Sequence, residues 1–187
     1  MDLSEINFAV LVASLIVAST PLVLAALGEL IAEKSGVLNL GVEGMMIIGA
    51  VTGFIVGVET GSAYIGMMAA AMAGALLSLL FAFIILIMQA NQVASGLALT
   101  IFGLGIAALM GHPYTGIKSP QISTISIPFI SEIPILGTMF FQHDLIVYLS
   151  LISVLVIWYF LNRMRAGLIL RSVGEDHDVA HSLGYRV

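Results

Sequence analysis

Residues 62–110 read SAYIGMMAAAMAGALLSLLFAFIILIMQANQVASGLALTIFGLGIAALM and contain no Asp, Glu, Lys or Arg. A helix rises about 1.5 Å per residue, so roughly 20 apolar residues cross the hydrocarbon core of a bilayer. The stretch is long enough to cross twice, with the polar run Gln89-Ala90-Asn91-Gln92 at the reversal. This predicts two membrane helices over about 62–88 and 92–111.

The flanking sequence continues the pattern. Apolar runs over about 7–28, 41–58 and 142–161 bring the expected number of spans to five, the second short and glycine-rich. The whole 187-residue chain is 60% hydrophobic and 9% charged, with a mean hydropathy of +1.12. Soluble domains run near 45–50% apolar and about 25% charged, so too few charges are present to coat a soluble surface. The fold class is therefore all-α, a polytopic transmembrane bundle. The acidic start Met1-Asp2-Leu3-Ser4-Glu5 lacks the basic region of a signal peptide, so the first run is read as a retained span. No basic run points to nucleic acid. Cysteine is absent, which removes disulfides and thiolate metal sites.

Arg163, Arg165, Arg171 and Arg186 follow the last span, and Lys34 lies between the first two. Placing the C-terminal tail in the cytoplasm puts Lys34 there too and leaves Lys118 outside. Five of the six basic residues then lie inside, as the positive-inside rule requires. The N-terminus is expected outside. The chain divides into a transmembrane domain over 1–162 and a cytoplasmic segment over 163–187. Segment 112–141 holds four of the five prolines and reads as an irregular external loop, with its Ile-Ser alternation at 122–127 marking a short strand or interfacial strip.

Gly41, Met45, Gly49, Gly53 and Gly57 recur every fourth residue, as do Gly66, Ala70, Gly74, Ser78 and Ala82. Such stripes let membrane helices approach closely. Tight packing without chemistry is the simpler account of them. Pro21 predicts a kink in the first span. The sequence leaves open a helix break somewhere in 28–45.

The polar candidates are few. Asn91, Gln92 and Ser95 share one side of the helix they begin. Asn91 is placed to cap it, and the three together would offer neutral donors and acceptors to a polar, uncharged solute. Asn39 and Glu43 stand four apart near a span boundary, where solvation is cheap; Glu29 and Glu33 do likewise. In the tail, Asp176 suits an N-cap and Gly184 a left-handed C′ position, framing a short helix with Val179, Ala180 and Leu183 as its apolar face. His177 and His181 have ligand spacing but lack the zincin glutamate, so no metal site is expected.

Three ordered runs resemble one family. Glu33-Lys34-Ser35-Gly36-Val37-Leu38-Asn39-Leu40-Gly41-Val42-Glu43-Gly44-Met45-Met46, then Asn91-Gln92-Val93-Ala94-Ser95-Gly96-Leu97-Ala98-Leu99, then the tail from Gly167 to Gly184 are similar to the ABC importer permeases of the branched-chain amino acid and ribose superfamily. The closest branch is that for simple sugars and nucleosides. The resemblance implies a prokaryotic inner (plasma) membrane, a second permease subunit, an external solute-binding protein (often a lipoprotein in this branch), and a separate ATP-binding subunit. It implies a solute-path role for Asn39, Glu43, Asn91, Gln92 and Ser95. It also makes residues 174–184 a coupling helix, with Arg171, Gly174, Glu175, Ala180, Leu183 and Gly184 facing the ATPase, and lets loop 112–141 receive the binding protein. No G-x-x-x-x-G-K-[ST] run is present, so no ATP hydrolysis or other enzyme activity is expected in this chain; ATP and Mg belong to the partner. Family permeases continue past this tail with further helices, and the 187-residue chain alone is expected not to transport. The amino acid branch, an ATPase-independent carrier or channel, and a structural remnant are the competing readings. The lack of any charge from 62 to 110 weighs against an ion-coupled carrier.

Overall fold

A computed structural model of the chain describes residues 8–122, 124–126, 140–182 and 184–185. Its elements are α1 (Phe8–Lys34), α2 (Val42–Thr60), α3 (Ala63–Ala82) continuing as a π-turn (Phe83–Ile87), α4 (Gln92–Gly111) with a 3₁₀ turn (His112–Tyr114), strands β1 (Thr124–Ser126) and β2 (Gln142–Asp144), then α5 (Leu145–Arg163), α6 (Arg165–Glu175) and α7 (His177–Ser182). Five helices among the described residues are long and apolar enough to span a bilayer. Their outward side chains are large and apolar: Ile101 is 71% exposed, Leu109 77% and Leu155 68%. Such a surface is tolerable only where lipid or further helices replace water.

The helix ends follow local rules. α1 runs unbroken through Pro21, past the expected end near 28, and stops at a Schellman cap. Gly36 is left-handed (φ 85°), its N–H donating to Glu33 O at 3.0 Å, while Val37 N–H donates to Ala32 O at 3.0 Å. Glu29 and Glu33 thus belong to the helix itself. A non-helical bridge then leads to α2, which locates the break left open in 28–45. α3 ends differently: Met88 N–H reaches back five residues to Phe83 O, and Gln89 turns the chain at φ 52°. A single π-turn of this kind inserts an extra residue into the helix.

By internal contacts the chain forms two compact units, Ala32–Ile122 on the one hand, and Met1–Ile31 with Ser123–Val187 on the other. In the first, α2 lies between α3 and α4 and uses glycines on both sides. A Cβ at Gly53 would stand 2.8 Å from Ala70 Cβ and 2.9 Å from Gly66 O; one at Gly66 would stand 2.9 Å from Gly57 Cα. The expected stripes therefore mate over Gly49–Gly57 and Gly66–Ala70. Farther along α3 they diverge: Gly74 has only Met45 O at 4.0 Å, and Ser78 is exposed. On α2's other side Gly44 meets Gly103, with Gly44 O 2.7 Å from where a Gly103 Cβ would be. Met45, Phe81, Ile85 and Leu99 form the small core, with Val37 and Leu77 packed on it.

In the second unit β1 and β2 pair antiparallel, with Ile125 opposite His143. The strand lies inside the expected 122–127 alternation, and much of the rest of that loop, 127–139, falls outside the described residues. α5 gives way to α6 at Met164, whose extended backbone (φ −92°, ψ 142°) turns the chain. Gly167 of α6 sits directly on the Phe160 carbonyl, leaving no room for a side chain.

Candidate functional site

The bridge 37–41 and the start of α4 meet at one end of the first unit. Asn91 is extended (φ −64°, ψ 121°) and its Oδ1 accepts from Ala94 N–H at 2.9 Å, capping α4 as its side-chain chemistry predicts. Gln92, in the first turn, accepts Leu38 N–H on Oε1 at 2.7 Å. Thr100, two turns on, donates from Oγ1 to Leu40 O at 3.0 Å. Between them a Cβ at Gly96 would stand 3.0 Å from Leu40 N, which is why only glycine lets the bridge lie on the helix. Asn39 stays within the bridge: its Oδ1 accepts Gly41 N–H at 3.0 Å and its amide reaches Met45 Sδ at 3.8 Å. Irregular backbone at a membrane boundary needs such partners, because lipid supplies none.

Both carboxamides therefore have fixed orientations. Each oxygen faces a backbone N–H, which only an acceptor satisfies. Asn91 Nδ2 and Gln92 Nε2 make no hydrogen bond among the described residues, and neither does the Ser95 hydroxyl. Ser95 lines an open groove of about 300 Å³ with Leu80, Ile84, Ala98, Leu99 and Phe102. Ile84 belongs to the π-turn, so the turn shapes one wall. The first turn of α4 thus offers donors beside an apolar surface. Glu43 is exposed in the first turn of α2, where the helix dipole favours a carboxylate. The structure gathers Asn39, Asn91, Gln92 and Ser95 around the bridge and start of α4. Thr100 was missed, since a lone threonine inside an apolar run carries no sequence signal of a partner 60 residues away.

The tail is built as a second local unit. Asp176 (φ −155°) caps α7, its Oδ1 accepting from Asp178 N–H at 2.9 Å and Val179 N–H at 3.0 Å. Gly184 (φ 88°) closes a Schellman motif, with Gly184 N–H donating to His181 O at 2.9 Å and Tyr185 N–H to Ala180 O at 3.2 Å. Ala180 is fully buried, but Val179 is 54% exposed, so the expected apolar face is narrower than three residues. The Leu183 side chain lies outside the described residues. Gly174 and Glu175 close α6, so the helix within 174–184 is confined to His177–Ser182. Arg171 donates from its guanidinium to Asn162 Oδ1 at 3.3 Å, tying α6 to α5. No group of three metal-ligating side chains comes together among the described residues.

Residues 11–187 match the family described as branched-chain amino acid transport system / permease component. The chain belongs to this permease family. Among its relatives, a putative glucose ABC transporter permease of Haloferax volcanii is 38% identical over 174 residues, covering 91% of this chain and 53% of that protein. A guanosine ABC transporter permease of Bacillus subtilis is 36% identical, covering 100% and 62%. A nucleoside ABC transporter permease of Lactococcus lactis is 32% identical, covering 95% and 60%. The chain spans between half and two thirds of the length of these permeases. No solved structure matches it. As a permease-family chain, it is a multi-pass membrane protein.

Proposed function

We propose that this chain forms part of the translocation path of an ATP-driven importer for nucleosides or simple sugars, in a prokaryotic plasma membrane. The observation that carries this is similarity over nine tenths or more of the chain to permeases named for glucose, guanosine and nucleosides. The site's chemistry supports it: the unengaged donors of Asn91 and Ser95 at the start of α4, with Ser95 lining an apolar groove, suit a neutral solute rich in acceptors. A separate ATP-binding subunit grips the tail around α7, a second permease subunit completes the path, and an external binding protein delivers solute to the 112–141 side. The bridge, the α3–α4 turn and the tail then share the cytoplasmic side, and the N-terminus lies outside.

Labelled uridine uptake by the complete transporter, with its ATPase and binding protein, tests the reading against excess ribose, glucose or leucine. Competition by nucleosides or sugars supports it. Competition by leucine alone moves the chain to the amino acid reading that the family description favours. Uptake that persists without the ATPase refutes the importer.

A further inference from the structure

The bridge 37–41 is held on α4 by two bonds of opposite sense. Gln92 takes a backbone N–H (2.7 Å) and Thr100 gives a hydroxyl proton to a backbone carbonyl two residues on (3.0 Å). Gly96 lets the backbones touch between these points, its Cβ position 3.0 Å from Leu40 N. Gly41 continues the contact just past Leu40, with Gly96 O 3.4 Å from where a Gly41 Cβ would stand. The bridge is also wired to the groove. Val37 packs on the cluster of Met45, Phe81, Ile85 and Leu99. Leu99 in turn lines the groove beside Ser95, and its Cδ2 lies 3.1 Å from the Gly41 Cβ position.

We propose that Gln92 and Thr100 are positioning residues, a two-point clasp that fixes the bridge on α4 and thereby sets the shape of the Ser95 groove. Gln92 acts through its oxygen on the backbone of Leu38, and its amide nitrogen is not the group on which solute binding depends. The clasp is weak enough to be worked. A net hydrogen bond of ordinary strength shifts a local opening equilibrium about fivefold, so neither bond alone locks the bridge. Release of both frees the bridge backbone and shifts Leu99, coupling the cytoplasmic end of the path to the groove.

The test uses the complete protein. The chain contains no cysteine, so Val37→Cys, with any cysteine elsewhere replaced, gives one reporter of bridge release. Maleimide labelling of Val37→Cys in membranes is expected to run about fivefold faster with Gln92→Met or Thr100→Val, and faster still with both. Gln92→Glu keeps the acceptor and Thr100→Ser keeps the donor, so both should label at the parent rate. Uptake, which rests on the transport function proposed above, should show KM raised several-fold by Gln92→Met and restored by Gln92→Glu. Parent-rate labelling in Gln92→Met overturns the clasp. Faster labelling with unchanged uptake kinetics overturns its link to the groove. Uptake lost in Gln92→Glu with parent-rate labelling also overturns the proposal, because the amide would then act on the solute. A parent that shows no ATP-driven uptake refutes the transport reading, and the labelling arm still decides the clasp.

Discussion

Adding one methyl group where α2 crosses α4 tests the packing most directly. In Gly103→Ala the new Cβ would lie 2.7 Å from Gly44 O and 2.8 Å from Gly44 Cα; in Gly44→Ala it would lie 2.7 Å from Leu99 O and from Thr100 Cα. These are backbone atoms, so no side chain can rotate away. Ordinary contact begins near 3.4 Å, and the helices must part by about 0.7 Å. A bridge that follows α2 away from α4 by that distance stretches the Thr100–Leu40 bond from 3.0 Å to as much as about 3.7 Å, past hydrogen-bond range. Overpacking costs about 1–3 kcal/mol and the lost bond about 1 kcal/mol. Replacing a helical glycine returns about 1 kcal/mol. The net loss is about 1–3 kcal/mol. Gly105, on the same helix, has nothing within 4 Å of its Cβ position, so Gly105→Ala keeps only the propensity gain. Apparent melting temperature of the purified protein, read by fluorescence-detected size exclusion, should fall for Gly44→Ala and Gly103→Ala and hold or rise for Gly105→Ala. Equal melting of the Gly103 and Gly105 variants would refute the close crossing.

The same comparison applies to α2 and α3. Gly66→Ala places Cβ 2.5 Å from Gly53 O and should destabilise by about 1–3 kcal/mol, whereas Gly74→Ala, 4.0 Å from its nearest neighbour, should not. In the tail, Asp176→Ala removes two capping bonds and should cost α7 about 1 kcal/mol. Gly184→Ala forces a Cβ into φ 88° at about 1–2 kcal/mol. On the function proposed above, both should weaken co-purification with the ATP-binding subunit, and undiminished recovery would show that such docking does not depend on an ordered α7. Tyr114→Phe removes the solvent-exposed Tyr114–Glu59 bond of 2.7 Å, so the melting temperature should stay close to the parent's.

Much of the candidate site could be read from local sequence because capping is local chemistry. Asn91, Asp176 and Gly184 each act within five residues of themselves, and each holds the position its side chain or backbone freedom predicts. The Gly36 cap was equally legible in Lys34-Ser35-Gly36, yet the apolar run was ended near 28, at the first charge; a helix keeps its backbone bonds past the hydrocarbon, so α1 reaches Lys34. α6 also went unread. It is amphipathic rather than uniformly apolar, and its fit depends on Gly167 meeting the Phe160 carbonyl.

The sequence by itself determined a five-span, charge-poor membrane protein, the reversal between α3 and α4, and which permease family it resembles. Length, hydropathy and cap chemistry act over a single helix, so one strand of text suffices for them. Tertiary structure decided what Gln92 and Thr100 do. Gln92 and Leu38 are 54 positions apart, Thr100 and Leu40 60, and nothing local to either pair announces the bond. They meet because α2 has glycines on two faces, and only packed backbones show that Gly44 mates with Gly103 while Gly53 mates with Gly66. The orientation of Gln92, oxygen on the bridge and amide unengaged, follows from that crossing.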